Sequence, residues 1–143
     1  MKKNYYYVFL VILSFCFISC LTIKPKEEIV YEKELSCNPS INVARLWVSE
    51  NFNSASSVID VYDESLQILT GNGSSGDYKF FFKITIKDNI VRINFRKFLR
   101  QNSNGGIAPL FFYETEEEKM FYKKINSISD SLFLYLEAFN SQP

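Results

Sequence analysis

The chain has 143 residues, enough for one domain of ordinary size, and its 16 basic and 16 acidic residues cancel. A formal charge of zero gives no global attraction to nucleic acid. Because the chain contains no histidine, its composition excludes a histidine base, a histidine-activated serine and a histidine-ligated metal. Carboxylates are therefore the main acid or base groups left for catalysis.

The amino-terminal segment has the layout of an export signal. A pair of lysines at positions 2 and 3 precedes an uncharged, mostly apolar run over residues 5–18. The sequence that follows, Phe17-Ile18-Ser19-Cys20, resembles the lipobox of bacterial lipoproteins. The resemblance implies that the signal is removed before Cys20 and that this cysteine carries acyl chains such as palmitate, which would hold the protein to a membrane.

An uncut transmembrane anchor is the alternative interpretation of the same segment. Residues 5–23 are uncharged, and roughly 20 apolar residues are enough to span a bilayer. Both interpretations place the rest of the chain outside the cytoplasm. If the cysteine is lipidated, Leu21 at the next position favours sorting to an outer membrane where the cell has one.

This organisation predicts a signal peptide over residues 1–19, a tether over 20–28 and a single domain over 29–143. Removal of the signal takes away two lysines and no acid, so the formal charge falls from zero to minus two. Cys37 is then the one cysteine besides Cys20, and no disulfide can form within the domain. We expect Cys37 to be buried and inert, with pairing between molecules or a nucleophilic role as alternatives.

The first half of the domain shows strand and helix patterns in turn. Residues 29–35 alternate apolar and charged side chains, as a half-buried strand does. Asn38-Pro39-Ser40 indicates a helix start, and the helix runs to about Phe52 with Trp47 on its apolar side. Residues 57–62 and 66–70 predict a hairpin. The glycine-rich residues 71–76 predict a flexible loop after it.

The second predicted hairpin joins residues 78–87 to residues 90–98, and the alternation of its apolar side chains predicts which residues face each other. If Lys87 faces Ile90, then Ile86, Ile84 and Phe82 face Val91, Ile93 and Phe95, and that side is uniformly apolar. The opposite side of the same hairpin is basic. Its candidate partner-binding residues are Lys79, Phe81, Lys83, Lys87, Arg92 and Arg96.

The carboxyl-terminal third ends in a long helix. Residues 101–108 predict a loop, residues 109–113 are apolar without a clear form, and Thr115 with Glu118 makes a capping box. The apolar stripe of the helix is Phe121, Ile125, Ile128, Leu132, Tyr135 and Phe139. Together the elements predict an α+β fold with an antiparallel sheet of about five strands and two helices on one face.

Several of these segments are similar to those of one protein family. The similar segments are Ala44-Arg45-Leu46-Trp47-Val48-Ser49-Glu50-Asn51-Phe52, Ser57-Val58-Ile59, Ile68-Leu69-Thr70-Gly71-Asn72-Gly73 and Phe82-Lys83-Ile84-Thr85-Ile86-Lys87-Asp88. They resemble a bacterial domain of unknown function with a TATA-binding-protein-like fold, found mostly in exported proteins. The resemblance covers about residues 29–140, and it implies a fold without an activity, a cofactor or a ligand.

Two further patterns are compatible with ligand sites. Gly71, Gly73 and Gly76 match G-x-G-x-x-G, but a strand rather than a helix is predicted after them, which favours a plain hairpin connection over a nucleotide site. The acids at positions 60, 63 and 64 could hold calcium through hard oxygens. Acids on a solvated turn are the more common case.

The basic side of the second hairpin has three possible explanations. Like charges on neighbouring strands repel, so the pattern costs stability unless an anion covers it. The cover could be internal, from Asp60 or the 116–118 turn, or it could be a partner. An ordinary solvated face is the third explanation. Export and the negative net charge argue against nucleic acid as the partner.

These observations predict a non-catalytic envelope lipoprotein of unknown specific function, with no cofactor or metal. It would bind a protein or an anionic surface, such as lipid headgroups or polysaccharide, through the exposed sheet face. An enzyme using carboxylates or Cys37 is the alternative. A structural protein, held by an uncut anchor and pairing through its edge strands or residues 110–113, is a third possibility. The oligomeric state is left open.

Overall fold

The computed structural model of the protein describes residues 28–52, 58–110 and 116–140. The described elements follow one another as β1 (Glu28–Glu34), α1 (Ile41–Asn51), β2 (Val58–Asp63), β3 (Ile68–Ser75), β4 (Tyr78–Lys87), β5 (Ile90–Gln101), β6 (Ile107–Pro109) and α2 (Glu116–Asn140). Within these ranges no helix has both the length and the apolar character needed to cross a membrane. The predicted signal peptide, nearly all of the tether and Thr115 of the capping box lie outside the described residues.

All strands belong to one antiparallel sheet in the order β1-β5-β4-β3-β2. The central strand β5 pairs with β4 along one side, from Ile90 to Arg100. Its other side pairs first with β1, over Ile90 to Arg96, and then with β6, over Leu99 to Gln101. Strands β1 and β6 therefore lie end to end along β5, and β2 forms the opposite edge.

The predicted register of the second hairpin is confirmed. Lys87 faces Ile90 across the Asp88-Asn89 turn, and the three apolar pairs that follow are the ones the sequence predicted. A bulge shifts the register between Lys79 and Phe81, where Lys97 on β5 has a φ of 55°. Such bulges increase strand twist, and this one leaves both Arg96 and Lys97 exposed before Phe98 returns to the core.

Both helices pack on the apolar side of this sheet. Ser40 caps α1 by accepting a hydrogen bond from the Asn42 amide at 3.2 Å, and the indole Nε1 of Trp47 donates to Ser131 Oγ on α2 at 3.2 Å. The ring of Phe52 stacks on Phe82 of β4 with centroids 5.5 Å apart. The predicted α+β class, with two helices on one face, is confirmed. The sheet has six strands rather than about five.

The extra strand β6 lies where the sequence predicted a loop and a segment without clear form. It has three residues and includes Pro109, which is tolerated because β6 is at an edge of the sheet. Its pairing with β5 is held in part by a tight turn in which Gly105 donates to the Asn102 carbonyl. So short an element carries no periodicity that a sequence pattern could reveal.

The predicted flexible loop over residues 71–76 is wrong, because β3 continues to Ser75. Gly71 and Gly73 face the core side, opposite Phe82 and Phe80 of β4. A Cβ atom at Gly73 would lie 2.5 Å from Cε2 of Phe80. The glycine is therefore a place where an aromatic ring approaches the backbone, and not a sign of loop structure.

Two predictions about buried residues also need correction. Phe139 is exposed, and its place on α2 is taken by Phe133 and Leu136, which are both buried. The last turns of α2 pack towards β1 and the segment after it, where Cys37 Sγ lies 3.9 Å from the Leu136 carbonyl. Cys37 itself is half-buried rather than buried.

Replacing Gly73 with alanine tests the contact with Phe80. We expect Gly73→Ala to lower the free energy of unfolding by about 1–3 kcal/mol, because the added methyl group forces the Phe80 ring to move. The measurement is denaturant unfolding followed by the fluorescence of Trp47, which is the one tryptophan of the chain.

Gly106→Ala is the matched control. Its nearest neighbour is an Asn102 side-chain nitrogen 4.0 Å from the new Cβ position, so stability should change by no more than about 0.5 kcal/mol. Equal stability of the two variants would contradict the proposed role of Gly73.

Candidate functional site

The six candidate partner-binding residues lie together on the side of the sheet opposite the two helices, which we call the open face. On β4 they alternate with buried Phe80, Phe82, Ile84 and Ile86. On β5 they alternate with buried core residues in the same way. The structure therefore places on one surface the set Lys79, Phe81, Lys83, Lys87, Arg92 and Arg96, which we call the basic face.

The cations of the basic face are staggered across the strands. Lys83 pairs in register with Thr70 on β3 and Asn94 on β5, and Lys79 pairs with Ser74 and Leu99. Successive lysines on β4 are four residues apart, which corresponds to about 13 Å along a strand and exceeds the Debye length of about 8 Å at physiological salt. The repulsion between successive lysines of β4 is therefore weak, whereas Arg92 and Arg96 on β5 are diagonal neighbours of Lys83 and lie within reach of its charge.

The acids beside the basic face come from β1. Glu32 Oε2 lies 2.5 Å from Arg92 Nη2, and Glu28 accepts a hydrogen bond from the side-chain amide of Asn94. The sequence suggested Asp60 and the 116–118 turn instead. Asp60 accepts from Asn72 at 3.0 Å, and Glu117 pairs with Arg100 at 2.5 Å.

The position of these acids was not visible in the sequence. The alternation in β1 placed its glutamates on a polar side, but nothing indicated that β1 would lie next to β5, about 60 residues later in the chain. Pairing over such a distance has no local signature.

Four cations of the basic face remain after this pairing: Arg96 and three lysines, Lys79, Lys83 and Lys87, which we call the lysine row. None of them lies within 4.0 Å of a carboxylate oxygen in the described parts of the chain. Beside them, the guanidinium carbon of Arg96 lies 4.3 Å from the centroid of the Phe81 ring. This cation–π contact pairs the ring with the arginine.

Aliphatic side chains surround the lysine row on the open face. They are Val30, Val61, Leu66 and Ile90, and we call them the apolar fringe; all four are exposed. A depression of about 490 Å³, open to solvent, lies between Leu66, Ile68, Lys87 and Ile90, near the tips of two hairpins. The open face therefore combines positive charge with exposed apolar surface.

The acids at positions 60, 63 and 64 do not converge on a common point. Asp63 Oδ1 accepts from Ser65 Oγ at 2.7 Å and from the Leu66 amide at 2.9 Å. Glu64 accepts from the Asn42 side chain at 2.8 Å. No group of three potential metal ligands exists among the residues that the structure describes. The calcium hypothesis therefore has no support in these ranges.

Burial affects the pKa of two tyrosines, Tyr31 and Tyr78. Desolvation raises the pKa of Tyr78, as does the nearby Glu117, and desolvation likewise raises the pKa of Tyr31. Both hydroxyls therefore stay protonated near neutral pH.

The glycines of the G-x-G-x-x-G match lie in β3 and in the turn that leads to β4, with no helix directly after them. The nucleotide hypothesis therefore loses its structural basis.

Comparisons with solved structures agree with the fold. One similar fold is the crystal structure of a DUF4468 family protein from Bacteroides ovatus, whose sequence is 14% identical to this chain. The two structures superpose with a TM-score of 0.60, and the alignment covers 81% of this chain and 89% of the other. A second is the crystal structure of a TBP-like protein from Parabacteroides distasonis, which is 12% identical in sequence. Its TM-score is 0.52, and the alignment covers 79% of this chain and 97% of the other. No family model matches the chain, and no curated protein matches it. The similarity supports the TBP-like fold, and at this identity it carries nothing about activity.

Replacing Asp63 with asparagine tests its role in the β2–β3 turn. The hydrogen bond from Ser65, followed by that from the Leu66 amide, lowers the pKa of Asp63 below its ordinary value of 3.8. The ionised Asp63 carboxylate therefore adds to the free energy of unfolding at every pH above the pKa that this side chain has in the unfolded chain. That contribution is lost as the pH falls through the lower pKa of the folded state. Between about pH 7 and pH 2, wild type should therefore lose more stability than Asp63→Asn.

Denaturant midpoints of both proteins across this pH range provide the measurement. Asp130→Asn removes the same charge from the exposed surface of α2 and serves as the control. Parallel pH profiles for wild type and Asp63→Asn would show that the ionised turn contributes nothing.

Proposed function

We propose that the protein is a lipid-anchored component of the bacterial envelope, and that its domain binds an anionic partner through the basic face without catalysing a reaction. The observation that carries the binding proposal is the lysine row, which has no acidic partner among the described residues and lies on the sheet side opposite both helices. A partner with negative charge would complement this surface.

The anchoring proposal is supported by the sequence before the domain. A basic pair, an apolar run and the motif ending in Cys20 together favour export and lipid attachment. Leu21 favours the outer membrane in a cell that has one. The domain begins close behind the motif, so an anchored protein would keep the basic face near the membrane that holds it.

A binding role has more support than a catalytic one. Cys37 is half-buried and its sulfur contacts the end of α2, and the turn acids are engaged in hydrogen bonds of their own. Two depressions of the described surface, of about 700 and 490 Å³, are open to solvent and lined by side chains from turns and strand ends. Catalytic sites instead require convergent groups in a water-excluding cleft.

Replacing Cys20 with alanine tests the anchor. In a bacterial host, wild type should lose the 1–19 segment, gain acyl mass and partition into detergent, whereas Cys20→Ala should carry no acyl mass, because the acceptor thiol is absent. Intact-mass spectrometry and detergent partition of both proteins provide the measurement. An unshortened wild-type chain that partitions like the variant would mean an uncut helical anchor.

Neutralising the lysine row tests the binding surface. In detergent, the triple variant Lys79→Gln, Lys83→Gln and Lys87→Gln should bind immobilised heparin roughly tenfold more weakly than wild type, as expected for the loss of three exposed ion pairs. The matched control neutralises Lys119, Lys123 and Lys124, which lie exposed on α2 and carry the same total charge. Equal weakening of both triple variants would show that only net charge matters and would overturn the proposed site.

A further inference from the structure

Building on the proposed function, we infer that the anionic partner is the headgroup layer of the membrane in which the protein is anchored. The domain would lie with its open face against that surface. The inference rests on four features: the combination of charge and apolar groups on the open face, the spread of the lysine row, the charge of the opposite side, and the length of chain between Cys20 and the sheet.

The composition of the open face matches a lipid interface better than a soluble polyanion. The lysine row can contact headgroup phosphates, while Leu66 and Ile90 beside it can enter the boundary with the acyl chains. A polysaccharide or polyphosphate would pair with the lysines and leave the apolar fringe exposed to water. An interfacial site accommodates both kinds of side chain.

The geometry of the lysine row also suits a surface. Its three side chains are spread over roughly 26 Å of one strand, so a compact anion could not contact all three at once. The field of an anionic membrane acts on all three together, and each lysine close to the surface shifts the docking equilibrium about fivefold.

The helical side of the domain fits an anionic surface less well. Leu134 and Phe139 are exposed there, so apolar contact alone does not decide the orientation. Charge does, because α2 carries five acidic and three basic residues. An anionic membrane would repel this side and attract the open face.

The length of the tether allows the docked position. Eight residue steps separate Cys20 from Glu28, where β1 begins at the sheet edge, and this chain spans at most about 29 Å when fully extended. A domain lying on its open face needs only part of that length. Tethering also raises the effective concentration at the membrane to about the millimolar range, so weak electrostatic contacts are sufficient.

Lysine footprinting of the intact anchored protein tests this inference. The protein is reconstituted in vesicles of phosphatidylcholine alone, or of phosphatidylcholine with roughly one-third phosphatidylglycerol. Amines are acetylated briefly, and the modification of each lysine is measured by mass spectrometry. Wild-type protein is used throughout, so the result does not depend on the folding of a variant. It also applies whether the anchor is acyl or helical.

We expect labelling of the lysine row to fall severalfold in the anionic vesicles compared with the neutral ones. Labelling of Lys119 and Lys123 on α2 should stay constant, and about 0.5 M NaCl should restore labelling of the lysine row by screening. Equal labelling of the row in both vesicles would overturn the membrane inference. If the row-specific loss of heparin binding is nevertheless observed, the proposed binding surface stands and its partner is a soluble anion. If heparin binding also fails to depend on the row, the proposed function fails too.

Discussion

The organisation of the domain depends on the pairing of β5 along both of its edges. On one side β4 follows it for nearly its full length, and on the other β1 and β6 share it end to end. Side chains alternate across a strand, so this long ladder assigns the residues of four strands to two surfaces at once. One surface contains buried Phe82, Ile93 and Phe95 beneath the helices, and the other carries the cations.

The register of the sheet thus fixes both the hydrophobic core and the candidate site. A register slip of one residue would move lysines into the core and phenylalanines into solvent, which the burial of Phe82 and Ile84 strongly opposes. The basic face is held in place by hydrophobic packing on the reverse side of the same strands. Its charges need no ion pairs of their own to stay in position, which leaves the lysine row available for a partner.

Sequence patterns were sufficient wherever the determining contacts were local. The β4–β5 register, the helix from Ser40 to Phe52 and the six residues of the basic face all follow from alternation, capping and turn chemistry over short distances. The wrong predictions have two different physical reasons. The glycines of β3 favour a loop by composition, because a glycine has no side chain to indicate that the Phe80 ring packs against Gly73. The buried side of the last turns of α2 depends on packing against residues that are distant in the sequence.

The placement of β1 has a consequence for the export that we propose for this chain. If the chain is exported from its amino end, as proposed above, β1 crosses before the residues about 60 positions later with which it pairs, and the sheet edge that it completes cannot form until β5 has also crossed. Contacts of this range form slowly because loop closure must precede them. The amino-terminal part of an exported chain would therefore stay extended during translocation, in the unfolded form that a narrow channel requires. Closure of the sheet would be delayed until the rest of the domain has arrived at the far side.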